Sequence, residues 1–263
     1  MQGIRAVLLD IDGVLTVSWR PVPGAVEAVW RLRDAGFALA LVTNTTSRTR
    51  AWMAATLSDA GFGVTADDIF TAPAITAAYL ARNYPGARCV LLNSGDITAD
   101  LAGVTIVPDD AGAAPDVVIL GGAGPEFSYP ALNQVFGYLL SGARLVAMGR
   151  NLYWRTDQGL QLDAGAFLPG LEQASGVQAE VTGKPAAAFF ATALDALGAD
   201  ASAAVMVGDD IEADVLAAQR AGLTGVLVRT GKYQRETLDR ASGRPDHVID
   251  SIADLPDLLG SPG

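Results

Sequence analysis

The sequence predicts an α/β protein: a Rossmann-like core, a parallel sheet flanked by helices, carrying a smaller inserted α/β domain. Three observations lead there. Short apolar runs alternate with longer amphipathic ones, as in a parallel sheet with crossover helices. The same alternation recurs in the first and last thirds of the 263 residues, while the middle changes texture. Half of the residues are apolar, enough for a substantial core.

"AVLLDI" (6–11) reads as a strand. "GAVEAVWRLRDAG" (24–36) puts Val26, Val29, Trp30 and Leu32 at near-helical spacing and stops at Gly36. "FALALVTN" (37–44) is again strand-like, and "SRTRAWMAATLSDAG" (47–61) is a helix with Ser47 as its N-cap. In the last third, 186–198 reads as helix, 203–210 as strand, 211–222 as helix and 224–231 as strand. "PDHVIDSIADLPDLL" closes with a short strand and a helix. The middle holds "RCVLLN", "VTIVP" and "DVVILGG", a helical "YPALNQVFGYLLSG", then "RLVAM". A hairpin "LYWRTDQGLQL" follows, its turn made by Asp157, Gln158 and Gly159. The expected division is a core at 1–76 and 181–263 around an insert at 77–180.

Lys and Arg number 18 against 29 Asp and Glu, a net charge of −11 with no basic cluster. That argues against nucleic acid or an anionic membrane as partner. No apolar run approaches the roughly 20 residues of a membrane span, and the N-terminal apolar stretch is too short for a signal-peptide core. Cys89, the one cysteine, excludes an internal disulfide and reads as a buried thiol. A cytoplasmic protein is the expectation.

Ligands of open α/β sheets bind at the carboxyl ends of the strands. There the sequence places Asp10 and Asp12, then Thr43 and Asn44, then Asp209 and Asp210, with Asp214 in the next helical turn and Lys184 just ahead of a helix. Several carboxylates on one rim repel by several kcal/mol at intermediate dielectric. A hard divalent cation held by oxygen ligands, Mg²⁺ above all, relieves that repulsion together with Lys184. Hydroxyl and amide donors near a helix N-terminus suit a phosphoryl group. The inventory points to phosphoryl transfer, with Asp10 as nucleophile and Asp12 as acid and base.

The order "DIDGVLT", "VTN", "TGKP" and "VGDDIEAD" resembles the four motifs of the haloacid dehalogenase (HAD) superfamily across the whole chain. The insert between the second and third motifs looks like the cap of subfamily IIA, the NagD and p-nitrophenyl phosphatase type. "GLQLDAGAFLPGLEQASG", "AEVTGKP" and "VGDDIEADV" look closest to the branch of phospholysine phosphohistidine inorganic pyrophosphate phosphatases. The resemblance implies a phosphatase acting on a small phosphorylated metabolite through an aspartyl-phosphate. It also implies Mg²⁺ held by Asp10, the main-chain carbonyl of Asp12, and Asp209, with Thr43, Asn44 and Lys184 on the phosphoryl group. Asp214 would orient Lys184 or a metal-bound water, and Asp210 is a further supporting acid. Relatives with this cap dimerise through it, so a homodimer is implied too.

Other readings stay open. A pyrophosphate or P–N bond is as compatible with the motifs as a phosphate ester; a fold that binds without turnover is the alternative of another class, and the intact series of Asp10, Asp12, Lys184 and Asp209 speaks against it. "GGAG" (121–124) lacks the third glycine of a dinucleotide fingerprint, where Phe127 stands, and reads as a tight turn. His247, the only histidine, reads as a strand-flanking residue. Arg150, Asn151, Tyr153, Trp154 and Arg155 read either as a solvated hairpin with cross-strand packing or as the side chains that select the leaving group. Trp19 is a packing residue or a lining one.

Overall fold

A computed structural model describes residues 1, 3–109, 112, 114–156 and 159–260. In chain order the elements are β1 (Ala6–Asp10), β2 (Thr16–Val17), β3 (Arg20–Pro21), α1 (Ala25–Asp34), β4 (Ala38–Thr43), α2 (Arg50–Asp59), β5 (Ile69–Thr71) and α3 (Ala72–Asn83). There follow β6 (Arg88–Leu92), β7 (Thr105–Ile106), β8 (Val117–Leu120), α4 (Tyr129–Leu140), β9 (Arg144–Ala147), β10 (Tyr153–Thr156), β11 (Gly159–Leu162), α5 (Leu168–Ser175) and β12 (Glu180–Val181). The chain closes with α6 (Ala187–Leu197), β13 (Ala204–Gly208), a π-helical turn (Ile211–Leu216) running into α7 (Ala217–Arg220), β14 (Thr224–Val228), α8 (Arg235–Arg240), β15 (His247–Ile249) and α9 (Leu255–Leu259).

Two compact units result, one of Met1–Thr43, Arg50–Phe70 and Lys184–Gly263, the other of Asn44–Thr49 and Thr71–Gly183. The first holds a six-stranded sheet in the order β15-β14-β13-β1-β4-β5, with β15–β14, β14–β13, β13–β1 and β1–β4 all parallel. All five residues of β1 and of β13 are buried, as expected of strands covered on both faces. The second holds a five-stranded sheet, order β12-β9-β8-β6-β7, parallel in every pair, and the separate antiparallel pair β10–β11.

Some elements differ from their sequence expectation, each for a local reason. Helix α1 buries Ala25, Ala28, Val29 and Leu32, whereas Trp30 lies at its edge, its indole N–H donating to Gly61 O at 2.9 Å. Helix α2 begins at Arg50, not near Ser47. Residues 44–49 are fastened to the second unit instead, where the Asn93 amide donates to Thr46 O at 3.1 Å. Strand β5 and helix α3 went unmarked in the sequence, although α3 carries start signals: Thr71, whose hydroxyl accepts from Ala74 N–H, and Pro73 in the first turn. The hairpin β2–β3 turns through Ser18 and Trp19, both at positive φ, without the Asn-Gly signal that marks such turns. Trp19 packs edge-on against Trp52 at 4.9 Å. In the pair β10–β11, Thr156 faces Gly159, so Gly159 opens β11 rather than lying in the turn. Asp157 and Gln158 lie outside the described residues. His247 is half-buried at the start of β15. Cys89 is buried, which pushes its thiol up to about 11.

Candidate active site

Strand β1 delivers Asp10 to the carboxyl edge of the first unit's sheet, and β13, its parallel neighbour, delivers Asp209 one residue beyond its end. Asp214 comes from the π-turn that follows. Gly208 lets it approach, because a Cβ there would stand 2.3 Å from that of Asp214. Carboxylate oxygens of Asp10, Asp209 and Asp214, all buried, lie within 4.8 Å of one another. Lys184, also buried, donates to Asp10 Oδ1 at 2.6 Å and pairs with Asp214 Oδ1 at 2.8 Å.

One ammonium does not neutralise three carboxylates. Burial pushes the Asp10 carboxyl up to about 7 against the pull of Lys184, and burial with the charges of Asp10 and Asp214 pushes Asp209 up to about 8. The Lys184 ammonium is held above its usual range: dehydration would lower it, and the Asp10 and Asp214 charges prevail.

The donor set fits a hard cation. Asp209 Oδ1 is buried with no hydrogen-bond partner among the described residues, a state that is costly unless something positive faces it. Its Oδ2 accepts from Lys232 N–H at 2.7 Å. Gly13 and Gly231, both at positive φ, close around it; a Cβ on either would stand 1.9 or 2.0 Å from Oδ2. Thr230 pins the loop, its hydroxyl donating to Gly13 O at 2.5 Å. An all-oxygen cluster with one unpartnered atom suits Mg²⁺.

Asp12 stands exposed just past β1. Partial enclosure at the rim raises its pKa against the pull of Lys232 and a hydrogen bond from the Ser18 backbone. Its carboxylate is not part of the three-acid cluster. Thr43 ends β4 and is buried. Asn44, the next residue, belongs by its contacts to the second unit, where it lines a pocket with Thr46, Met148 and Asn151. Asp210 is not part of the three-acid cluster: its Oδ1 caps the π-turn, accepting from Glu212 N–H at 3.1 Å and Ala213 N–H at 3.0 Å. Lys232 went unmarked in the sequence, where the only signal is a lysine just beyond a late strand. Its ammonium pKa is raised, dehydration being outweighed by Asp209, Asp214 and Asp10.

In the second unit Arg150 is committed internally. Its guanidinium pairs with Glu172 through both nitrogens, Nη1 at 3.2 Å from Oε2, and Glu172 also accepts from Ala179 N–H at 2.9 Å. Tyr153 is exposed on β10 opposite Leu162. Trp154 and Arg155 lie in the same strand, and their side chains fall outside the described residues.

Residues 7–106 match the family haloacid dehalogenase-like hydrolase, and 181–255 match HAD-hydrolase-like. The human phospholysine phosphohistidine inorganic pyrophosphate phosphatase is 35% identical over 265 residues, covering 98% of this chain and 95% of its own. This chain belongs to the haloacid dehalogenase-like hydrolases. Among solved structures, the p-nitrophenyl phosphatase from Archaeoglobus fulgidus superposes with a TM-score of 0.90 at 30% identity, covering 97% of this chain and 99% of that one. A glycerol phosphate phosphatase from Mycobacterium tuberculosis, solved in complex with magnesium, gives 0.86 at 28% identity, covering 96% and 76%. The chain is a haloacid dehalogenase-type phosphatase of the subfamily IIA kind, and such phosphatases use a divalent metal. No helix among the described residues is long and apolar enough to cross a membrane.

Proposed function

We propose that this phosphatase hydrolyses a small phosphate monoester through an aspartyl-phosphate on Asp10, with Mg²⁺ held by Asp10, Asp209 and the main-chain carbonyl of Asp12. The observation that carries the reading is the buried triad of Asp10, Asp209 and Asp214, with Lys184 between two of them and Asp209 Oδ1 left unpartnered. The cation supplies charge that keeps these carboxylates ionised and offsets the charge of the phosphoryl oxygens.

The remaining chemistry belongs to the side chains. An Asp10 oxygen attacks phosphorus, and the ester oxygen leaves with a proton from Asp12, whose pKa burial at the rim raises above the usual carboxylate value. Asp12, now ionised, takes a proton from water as that water attacks the aspartyl-phosphate, which returns Asp10 and releases phosphate. Lys184 holds Asp10 in place, and Asp214 holds Lys184. Thr43 and Asn44 grip the phosphoryl oxygens. Hydrolysis of p-nitrophenyl phosphate with Mg²⁺ and with EDTA tests this. Turnover falls to background with EDTA and drops at least about 1,000-fold in Asp10→Asn; an unaffected Asp10→Asn ends the assignment of the nucleophile.

A pyrophosphate or P–N bond is the second reading, favoured by the name of the human relative; inorganic pyrophosphate as the preferred substrate would establish it. A homodimer through the second unit is supported by Leu152, Tyr153 and Leu162, all exposed on or beside β10–β11. Sedimentation of the wild type and of Tyr153→Asp, monomeric if the reading holds, tests it.

A further inference from the structure

We propose that Lys232 is a second oxyanion-binding residue of the first unit: its ammonium takes an oxygen of the phosphoryl group during transfer and of the phosphate product before release. This rests on the phosphatase reading above, and every residue it involves belongs to the first unit. Only two of the 18 basic residues are lysines, Lys184 and Lys232, and the rest are arginines. The fold gives that scarcity a meaning, because both lysines come to the same buried acids, Lys184 through its ammonium and Lys232 through its backbone. A lysine offers a compact, flexible point charge where an arginine would bring a wide planar fork.

The two ammonium groups are committed differently. Lys184 is buried and engaged by the protein, in contact with Asp10 at 2.6 Å and Asp214 at 2.8 Å. Lys232 is exposed, and its Nζ makes no hydrogen bond or ion pair among the described residues. Its backbone is nevertheless fixed at the site. The N–H donates to Asp209 Oδ2 at 2.7 Å, and the Thr230 hydroxyl docks the loop beyond β14 onto Gly13 O at 2.5 Å, in the loop beyond β1. The side chain therefore starts from a fixed point and keeps a free head. Its charge shows which way that head reaches. At Asp12 the influence of Lys232 exceeds that of Lys184, whereas at Asp10 Lys184 leads and Lys232 is the weakest. Asp12 is exposed as well, and the two make no ion pair. The free ammonium thus stands on the solvent side of the acids, where an arriving phosphate dianion meets their negative charge. A cation without a partner of its own offsets that repulsion and forms a charge-assisted hydrogen bond to the anion.

Lys232→Met tests this in the intact protein, since it removes the ammonium and keeps the N–H that holds Asp209. With saturating Mg²⁺ and p-nitrophenyl phosphate as substrate, KM and the inhibition constant of inorganic phosphate are expected to rise together by about tenfold to a hundredfold, with a smaller change in kcat. Mg²⁺ binding moves the other way. In calorimetry without substrate at about pH 9, above the Asp10 and Asp209 values, the variant is expected to bind Mg²⁺ about fivefold more tightly, because one cation no longer opposes another. Thr230→Val, which unpins the same loop and keeps the ammonium, should weaken Mg²⁺ binding, as structural damage would. Mg²⁺ binding that fails to tighten in Lys232→Met, an unmoved phosphate inhibition constant, or a loss confined to kcat overturns the assignment and leaves the phosphatase reading standing. Absence of turnover by the wild type overturns the phosphatase reading itself.

Discussion

The two units concentrate polar chemistry in opposite ways. The first gathers three buried carboxylates around a buried ammonium, with the acids driven up and the base held charged. The second places one carboxylate among amides, a hydroxyl and backbone N–H groups, and satisfies its strongest pair, Arg150–Glu172, within the unit. Like charges at 4 Å and an effective dielectric of 20 interact by about 4 kcal/mol, so an added cation would relieve the first arrangement and has no comparable repulsion to relieve in the second. High charge density suits breaking a bond to phosphorus.

Lys184→Met breaks the comparison most severely. It strands Asp10 and Asp214 in the interior, and a loss of about 3–5 kcal/mol of unfolding free energy is expected in denaturant titrations without metal, alongside loss of turnover. A loss no greater than that of Arg150→Ala would show that the two regions are not electrostatically different in kind. Metal addition sharpens the contrast: Mg²⁺ at about 100 times its Kd stabilises the wild type by about 2.7 kcal/mol. Asp209→Asn should lose most of that gain, and Asp163→Asn should keep it, read as the shift in Tm.

Gly13→Ala probes the cradle around Asp209. Its positive φ and the 1.9 Å approach of Asp209 Oδ2 imply about 1–3 kcal/mol of destabilisation and weaker Mg²⁺ binding by titration calorimetry. Arg150→Ala in the second unit leaves Glu172 with the hydrogen bond from Ala179 N–H but without its cationic partner and should cost about 1–2 kcal/mol. That effect has a pH signature. Arg150, chiefly through its hydrogen bond, holds the Glu172 carboxyl below 4.5. A folded pKa below the unfolded one gives stability that is present above 4.5 and lost as pH falls through the lower folded value. The Tm difference between wild type and Arg150→Ala should therefore shrink in acid. Asp210→Ala, which removes an N-cap, is the smallest expected effect, about 1 kcal/mol by chemical denaturation.

Much of the first unit's site was legible because it lies at strand ends. An apolar run that stops in Asp10 or in Gly208–Asp209 announces both the strand and its cargo. Lys184 and Asp214 were legible through motif order. Asp210, set apart from Asp209 as only a supporting acid, could not be given its role as a cap, because a cap and a ligand are the same residue type until a backbone N–H is seen to point at one of them. Lys232 was missed, since its relation to the acids depends on β14 lying beside β13. The start of α2 was misplaced because Asn93, far along the chain, holds Thr46 out of the helix.

The sequence by itself determined the alternation of strands and helices, the acids at the strand ends and the family to which they belong, since burial period and motif order are local properties of the chain. The tertiary structure decided which carboxylates meet, which atom of Asp209 is left unpartnered, that Arg150 is tied to Glu172, and that Asp163 shares a pocket with Asn44. These are distances between residues remote in sequence, and only the packing of strand against strand and loop against loop fixes them.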